Sequence, residues 1–289
     1  MSDAPRIDPG TEVGPVRLRV RDLDSLAAFY ERVLGLSPIG RGERTAELGP
    51  EGGEPLVELQ HDPGAPARPA SSPGLFHLAV LVPDRAWLAR ALARLAGAGW
   101  RLTGASDHLV SEALYLRDPE DNGIEIYRDR PREEWPHKDG AVEMATLPLD
   151  LEGVISELGQ GEPAPDGMPP GTTIGHVHLQ VSDIHASGAF YEGALGFDMT
   201  ARSYPGALFL SAGGYHHHVG LNVWNSGGSP PAPEGALGLD RFEVRLPGTA
   251  SLAATVARLE AAGAEPVETA GGAMVTDPSG NRILLTNAA

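Results

Sequence analysis

Ten histidines and no cysteines bound the chemistry open to this 289-residue chain. Without thiols there is no disulfide, no thiolate nucleophile and no Cys-ligated zinc or iron–sulfur site. Any metal must be held by His, Asp or Glu. The densest cluster is His216-His217-His218, just after Gly213-Gly214. Side chains alternate along a strand, so there His216 and His218 would share one face, and His218 shares parity with Asn222. An imidazole in that position can move protons near neutral pH, the alternative being a solvated turn. His178 lies two residues past His176 and faces the same way. His108, in Ser106-Asp107-His108, precedes the run that leads to Glu125, a place for a flexible substrate loop. Tyr215 and Trp224 could pack a planar ring, although core packing is the commoner use of aromatics. Lys138 is the only lysine, which excludes a Schiff base elsewhere on the chain.

The elements that must position these groups come in repeats. Val20 to Leu36 lines up with Val181 to Phe197, sharing Val, Asp, Ala, Phe-Tyr-Glu and Leu-Gly at one offset. Ala93-Arg94-Leu95 matches Ala257-Arg258-Leu259, and Asp118-Pro-Glu-Asp-Asn122 matches Asp277-Pro-Ser-Gly-Asn281, at nearly the same offset. Pro/Gly-rich stretches at 62–73, 130–171 and 225–238 leave four units, at 13–61, 74–129, 172–224 and 239–287. Each opens on an alternating run such as His176-Val-His-Leu-Gln-Val181, which predicts a strand. A helical segment follows; Leu26, Phe29, Tyr30, Val33 and Leu34 are spaced by threes and fours, and Gly35 stops it. Short strands joined by Asp-Pro-x-x-Asn turns complete a β-α-β-β-β plan, four times over. The predicted domains are 1–130 and 172–289, with 131–171 as linker.

Composition narrows the function classes. Hydrophobic residues make up 41% and charged residues 21%, a globular balance. The formal net charge of -17 repels nucleic acid. No apolar run approaches the ~18 residues of a membrane span, and the polar start is unlike a signal peptide, so a cytoplasmic protein without a membrane partner is expected.

The strand ending in Val-x-Asp, the helix with Phe-Tyr, its Leu-Gly end and the closing Asp-Pro-x-x-Asn-x-Ile run resemble the vicinal oxygen chelate superfamily. That group includes glyoxalase I, bleomycin-resistance proteins and extradiol dioxygenases. Gly214 to Trp224 and Ala105 to Tyr115 look more specifically like two-domain catechol 2,3-dioxygenases. The resemblance implies an α+β fold in which paired modules form two cupped mixed sheets around a divalent metal.

It also implies ligand positions on the opening and closing strand of each module. Here these are Pro15, His77, His176 and Arg241, then Glu58, Glu125, Gly220 and Leu284. The ligand types among them are His77, Glu125 and His176, with Glu58 in reserve. Taken alone, a His or Glu on a strand is usually just a partly exposed side chain. Two His and one carboxylate suit non-haem Fe(II), while Mn, Zn or Ni also accept such a set. Collecting all three requires module 2 to pair with module 3 and module 1 with module 4; pairing in chain order would instead group Glu58, His77 and Glu125. The first arrangement fits a ring-cleaving dioxygenase acting on a catechol-like substrate with dioxygen. In it His218, or else His108, moves protons, and Asn222, His178, Tyr215 and Trp224 line the substrate. The second fits a glyoxalase-like isomerase. A third possibility is a non-catalytic small-molecule binder. A homo-oligomer is compatible with all three.

Overall fold

The computed structural model describes residues 6–138, 141–159 and 167–288. The first module comprises β1 (Glu12–Val20), α1 (Leu23–Phe29), β2 (Ser37–Arg41), β3 (Thr45–Gly49) and β4 (Val57–His61). The second comprises β5 (Gly74–Leu81), α2 (Arg85–Gly97), β6 (Gly104–Asp107), β7 (Ser111–Arg117) and β8 (Gly123–Asp129). The stretch expected as linker carries short strands β9 (His137–Lys138), β10 (Ala141–Val142) and β11 (Leu147–Pro148), then α3 (Leu151–Ile155). The third module has β12 (Thr173–Gln180), α4 (Ile184–Gly188), β13 (Asp198–Ala201), β14 (Ala207–Ser211) and β15 (Val219–Asn222). The fourth has β16 (Gly238–Leu246), α5 (Thr249–Ala261), β17 (Val267–Thr269), β18 (Gly272–Thr276) and β19 (Arg282–Asn287). The β-α-β-β-β plan thus recurs four times.

The repeated motifs have local causes. The Asp of each Val-x-Asp caps the helix after it: Asp22 accepts from Ser25 N–H, Asp84 from Trp87 N–H, and Asp183 from the N–H groups of His185 and Ala186. Each acceptor satisfies donors that have no partner in the first helical turn. The fourth module has Gly248 there and no side-chain cap. Helices α1 and α4 run on into π-helical turns, Tyr30–Leu34 and Ala189–Ala194. Gly35 (φ 83°) and Gly196 (φ 87°) lie just beyond in the left-handed region that favours glycine. The repeated Ala-Arg-Leu is explained by Arg94, which donates to Leu34 O at 3.0 Å, and Arg258, which donates to the carbonyls of Ala194 and Leu195. Each guanidinium closes the end of the neighbouring helix.

Hydrogen bonding arranges the strands in two mixed sheets. One has the order β17-β18-β19-β16-β1-β4-β3-β2; the other runs β11-β6-β7-β8-β5-β12-β15-β14-β13, and β9 and β10 form a separate ribbon. The opening and closing strands of a module run parallel, Leu78 beside Ile124, Val177 beside Val219, Phe242 beside Ile283. The remaining neighbours within each module pair antiparallel, as in β14–β15, β18–β19, β3–β4 and β7–β8. Modules 1 and 4 therefore contribute to one sheet, and modules 2 and 3 to the other. By packing, the chain divides into two compact units: Arg17–Ala65 with His77–Ile174, and Met1–Val16 with Pro66–Phe76 and Gly175–Ala289.

One buried latch is built twice, once in each unit. Tyr30 O–H donates to Asp118 Oδ2 at 3.1 Å, and Tyr191 O–H donates to Asp277 Oδ2 at 3.1 Å. In both turns Oδ1 accepts two backbone N–H groups, from Glu120 and Asn122 in one and from Ser279 and Asn281 in the other. The Asn side chain donates to Oδ2 in each. Burial disfavours the ionised carboxyl more than these bonds favour it, so Asp118 is pushed up to about 6 and Asp277 moves the same way.

A pKa raised in the fold favours the protonated native state. That stabilisation is full below the unfolded value of 3.8 and fades as pH rises through about 6. Asp118→Asn removes the titration and turns an amide donor toward Tyr30 or Asn122. Relative to the variant, the parent chain should lose about 2 kcal/mol between pH 4 and pH 7. Urea unfolding of both proteins at the two pH values tests this; a pH-independent difference would contradict it.

Candidate functional site

In the unit that holds most of modules 1 and 2, strands β5 and β8 place His77 and Glu125. Both are buried, and His77 Nε2 lies 3.0 Å from Glu125 Oε2. Across the β7–β8 hairpin, Tyr115 stands opposite Glu125. Its ring centroid is 5.6 Å from that of His77, and its hydroxyl is 2.7 Å from His108 Nε2. On the other side of His108, Nδ1 is 2.6 Å from the Ala145 carbonyl oxygen. A carbonyl only accepts, so Nδ1 carries a proton. In the neutral ring Nε2 is then an acceptor, and Tyr115 O–H donates to it. Addition of a proton to Nε2 reverses that bond.

His108 therefore does not lie on a flexible loop. It sits in a tight turn whose next residue, Leu109, has φ 70°. The turn is braced by Asp107, which accepts from Leu109 N–H at 2.8 Å and pairs with Arg130 through two hydrogen bonds. Those bonds hold the Asp107 carboxyl below its usual range. Behind the turn, buried Glu112 takes hydrogen bonds from Arg85, Arg128 and Arg130. β11 pairs with β6, Leu147 opposite Asp107, and brings Ala145 alongside His108.

In the other unit, β12 presents His176, His178 and Gln180 on one face, all buried. Of the triplet, His217 is the ring against His176, at 4.1 Å between centroids and 47° between planes. Its Nδ1 shares a 2.8 Å hydrogen bond with Nδ1 of fully buried His216. His218 accepts from Ala212 N–H at Nδ1 and packs on Tyr215 and Phe197. Tyr215 is stacked on His216 at 4.0 Å, so it packs within the triplet. The triplet precedes β15, where strand alternation does not hold.

His178 is ringed by Phe76 at 5.1 Å, Trp224 at 5.6 Å and Phe209 at 5.7 Å. Gly220 is opposite His178 on β15, and a Cβ there would meet the imidazole at 2.9 Å. The residue at the fourth implied ligand position is thus a glycine whose missing side chain makes room for His178. Trp224 is 49% exposed, and Asn222 is fully buried. Glu58 accepts from Arg17 Nε at 2.6 Å.

Residue-level reasoning missed Tyr115 and His217. Tyr115 had a signal: counting back through the hairpin from the Asp118–Asn122 turn puts it opposite Glu125. His217 had none, because the parity argument assumed a strand.

The sequence profile of the glyoxalase/bleomycin resistance protein/dioxygenase superfamily matches residues 12–126 and 173–285. The chain is 43% identical over 276 residues to the catechol-2,3-dioxygenase of Bacillus subtilis (strain 168), covering 94% of this chain and 95% of that one. It is similar in fold to the crystal structure of a presumed dioxygenase from Bacillus subtilis subsp. subtilis str. 168, with a TM-score of 0.69 and 14% identity, covering 98% of this chain and 86% of that chain. Glyoxalase I from Zea mays follows with a TM-score of 0.58 and 18% identity, covering 96% of this chain and 92% of that chain. No helix among the described residues is long and apolar enough to cross a membrane. From two matched segments that span most of its length and a relative of 43% identity, the chain belongs to the glyoxalase/bleomycin resistance protein/dioxygenase superfamily.

Proposed function

We propose that this protein is an extradiol-type dioxygenase that opens the ring of a catechol-like substrate with dioxygen, using one divalent metal held by His77, Glu125 and His176. The observation that carries the metal site is the donor set itself. All three residues are buried and of metal-ligand type, and His77 and Glu125 lie side by side on adjacent strands. Two imidazoles and a carboxylate leave open positions on a metal, the pattern that suits Fe(II). Such an ion supplies a Lewis acid for two catechol oxygens and a redox centre for dioxygen. The 43% identity to a catechol-2,3-dioxygenase supports the same reaction.

The chain's own residues bind, orient and move protons. Tyr115 stands beside both His77 and Glu125, so its hydroxyl can exchange a proton with a substrate oxygen, and His108 Nε2 can take that proton over a 2.7 Å bond. The Ala145 carbonyl fixes the His108 tautomer that makes this possible. His217, against His176, is the member of the triplet best placed for a second proton transfer. His178 and Trp224 offer a planar substrate an aromatic wall. The glyoxalase-like alternative needs Glu58 as a ligand or base, but Arg17 engages that carboxylate.

The test is purification without oxygen, reconstitution with Fe(II), Mn(II), Zn(II) or Ni(II) in turn, and measurement of oxygen uptake with catechol and its ring-opened product. Turnover with iron, one metal per chain and stoichiometric oxygen consumption are expected. Turnover that needs nickel or zinc and no oxygen would overturn the reading.

A further inference from the structure

We infer that the substrate carries, two to four bonds from its dihydroxy ring, a hydrogen-bond acceptor oxygen received by the Asn222 side-chain amide. This rests on the ring-cleavage reading and adds the class of substituent. Asn222 Oδ1 accepts from Trp224 N–H at 3.2 Å, which identifies the other end of the side chain as nitrogen. That Nδ2 is buried and has no hydrogen-bond partner, while the whole residue is 0% exposed. A buried donor left unpaired is destabilising, so the group calls for an acceptor that the protein itself does not supply.

Its position gives the length of the ligand. Asn222 is opposite Gln180 on β12, and directly opposed residues of parallel strands point to the same face. Along that face come His176, then His178 with Phe76, Phe209 and Trp224 around it, then Gln180 beside Asn222. At about 3.3 Å per residue, His176 and Gln180 are about 13 Å apart along the strand. A catechol ring spans about half of that distance, so an acceptor on a short chain from the ring matches the remaining length to the amide. Gln180 turns its Oε1 to Arg68 at 3.0 Å and makes no hydrogen bond to the Asn222 amide. A neutral ketone fits better than a carboxylate, because desolvating a charge against one amide donor is unfavourable.

The experiment uses the metal-loaded protein without oxygen and isothermal calorimetry. 4-(3,4-Dihydroxyphenyl)butan-2-one is compared with 4-(3-methylbutyl)catechol, which has a methyl group in place of the ketone oxygen. The parent protein should bind the ketone at least fivefold more tightly, and in Asn222→Leu the ratio should fall to about one or invert. Asn222→Asp keeps the shape but replaces the donor, and should also abolish the preference. Equal binding of the two ligands by the parent, or an unchanged ratio in the variants, would overturn the inference while leaving ring cleavage standing. If neither catechol binds, the ring-cleavage reading fails. The hydroxyl-free pair 4-phenylbutan-2-one and isopentylbenzene then reads the amide alone, with preference for the ketone lost in Asn222→Leu supporting the subsite and no preference refuting it.

Discussion

Alanine at His176 is expected to strip the metal and abolish ring cleavage, while alanine at Glu58 leaves both nearly intact. Removing a group that merely supports a metal ligand typically costs about 10–100-fold in affinity or activity. Removing one of three ligands should cost well over that, because the two that remain form only a weak chelate. His176→Ala should therefore lose its metal on dialysis and show no measurable oxygen uptake. Glu58 lies on β4 and pairs with Arg17, so its loss frees an arginine that is partly exposed and can be solvated. Metal content of the two purified variants, measured side by side with their circular dichroism, separates the possibilities. Metal retained in His176→Ala and lost in Glu58→Ala would overturn the proposed ligand set and favour the glyoxalase-like grouping.

Phenylalanine at Tyr115 should lower turnover about 100-fold with the metal content unchanged. The substitution keeps the ring that packs beside His77 and removes only the hydroxyl bonded to His108. Positioned proton transfer contributes typically about 10²–10⁴-fold, and the remaining His217 sets the lower end as the expected loss. His108→Gln should fall on the same pathway, so the double variant should be little worse than either single one. Additive losses, a factor of 100 for each, would show that the two do not share a proton. Oxygen uptake across pH 5 to 9 for the three variants provides the readout, with iron content as the control.

Much of this fold was legible because its signals are local and repeated. Asp22, Asp84 and Asp183 cap helices, and Asp118 and Asp277 organise turns, each through bonds to residues two to four positions away. Such features survive in any context and so appear as motifs. His77, Glu125 and His176 could be singled out only because the family resemblance implies ligand positions on the opening and closing strand of each module. The proton-handling groups were harder. Tyr115 depends on a hairpin register, and the His108 tautomer depends on Ala145, 37 residues away, in a stretch whose composition reads as linker. The histidine triplet misled because its three rings leave the chain before β15 begins, so no period of two governs them. Gly220 was legible as an absent ligand, but its use became apparent only with His178 opposite it.

The two tyrosine latches and the two sheets follow different orders of the same four modules. Each latch joins neighbours in sequence, Tyr30 of the first module to Asp118 of the second and Tyr191 of the third to Asp277 of the fourth. Each sheet instead needs partners from both halves, since β1 lies between β16 and β4, and β5 between β8 and β12. During synthesis the first latch can close as soon as its two modules have emerged. At that moment β1 and β5 still have one neighbour each and present unpaired backbone groups along an apolar strand. Such edges are templates for pairing with another chain. The nascent protein must therefore wait, half-latched and with two open edges, until its own C-terminal half arrives to occupy them.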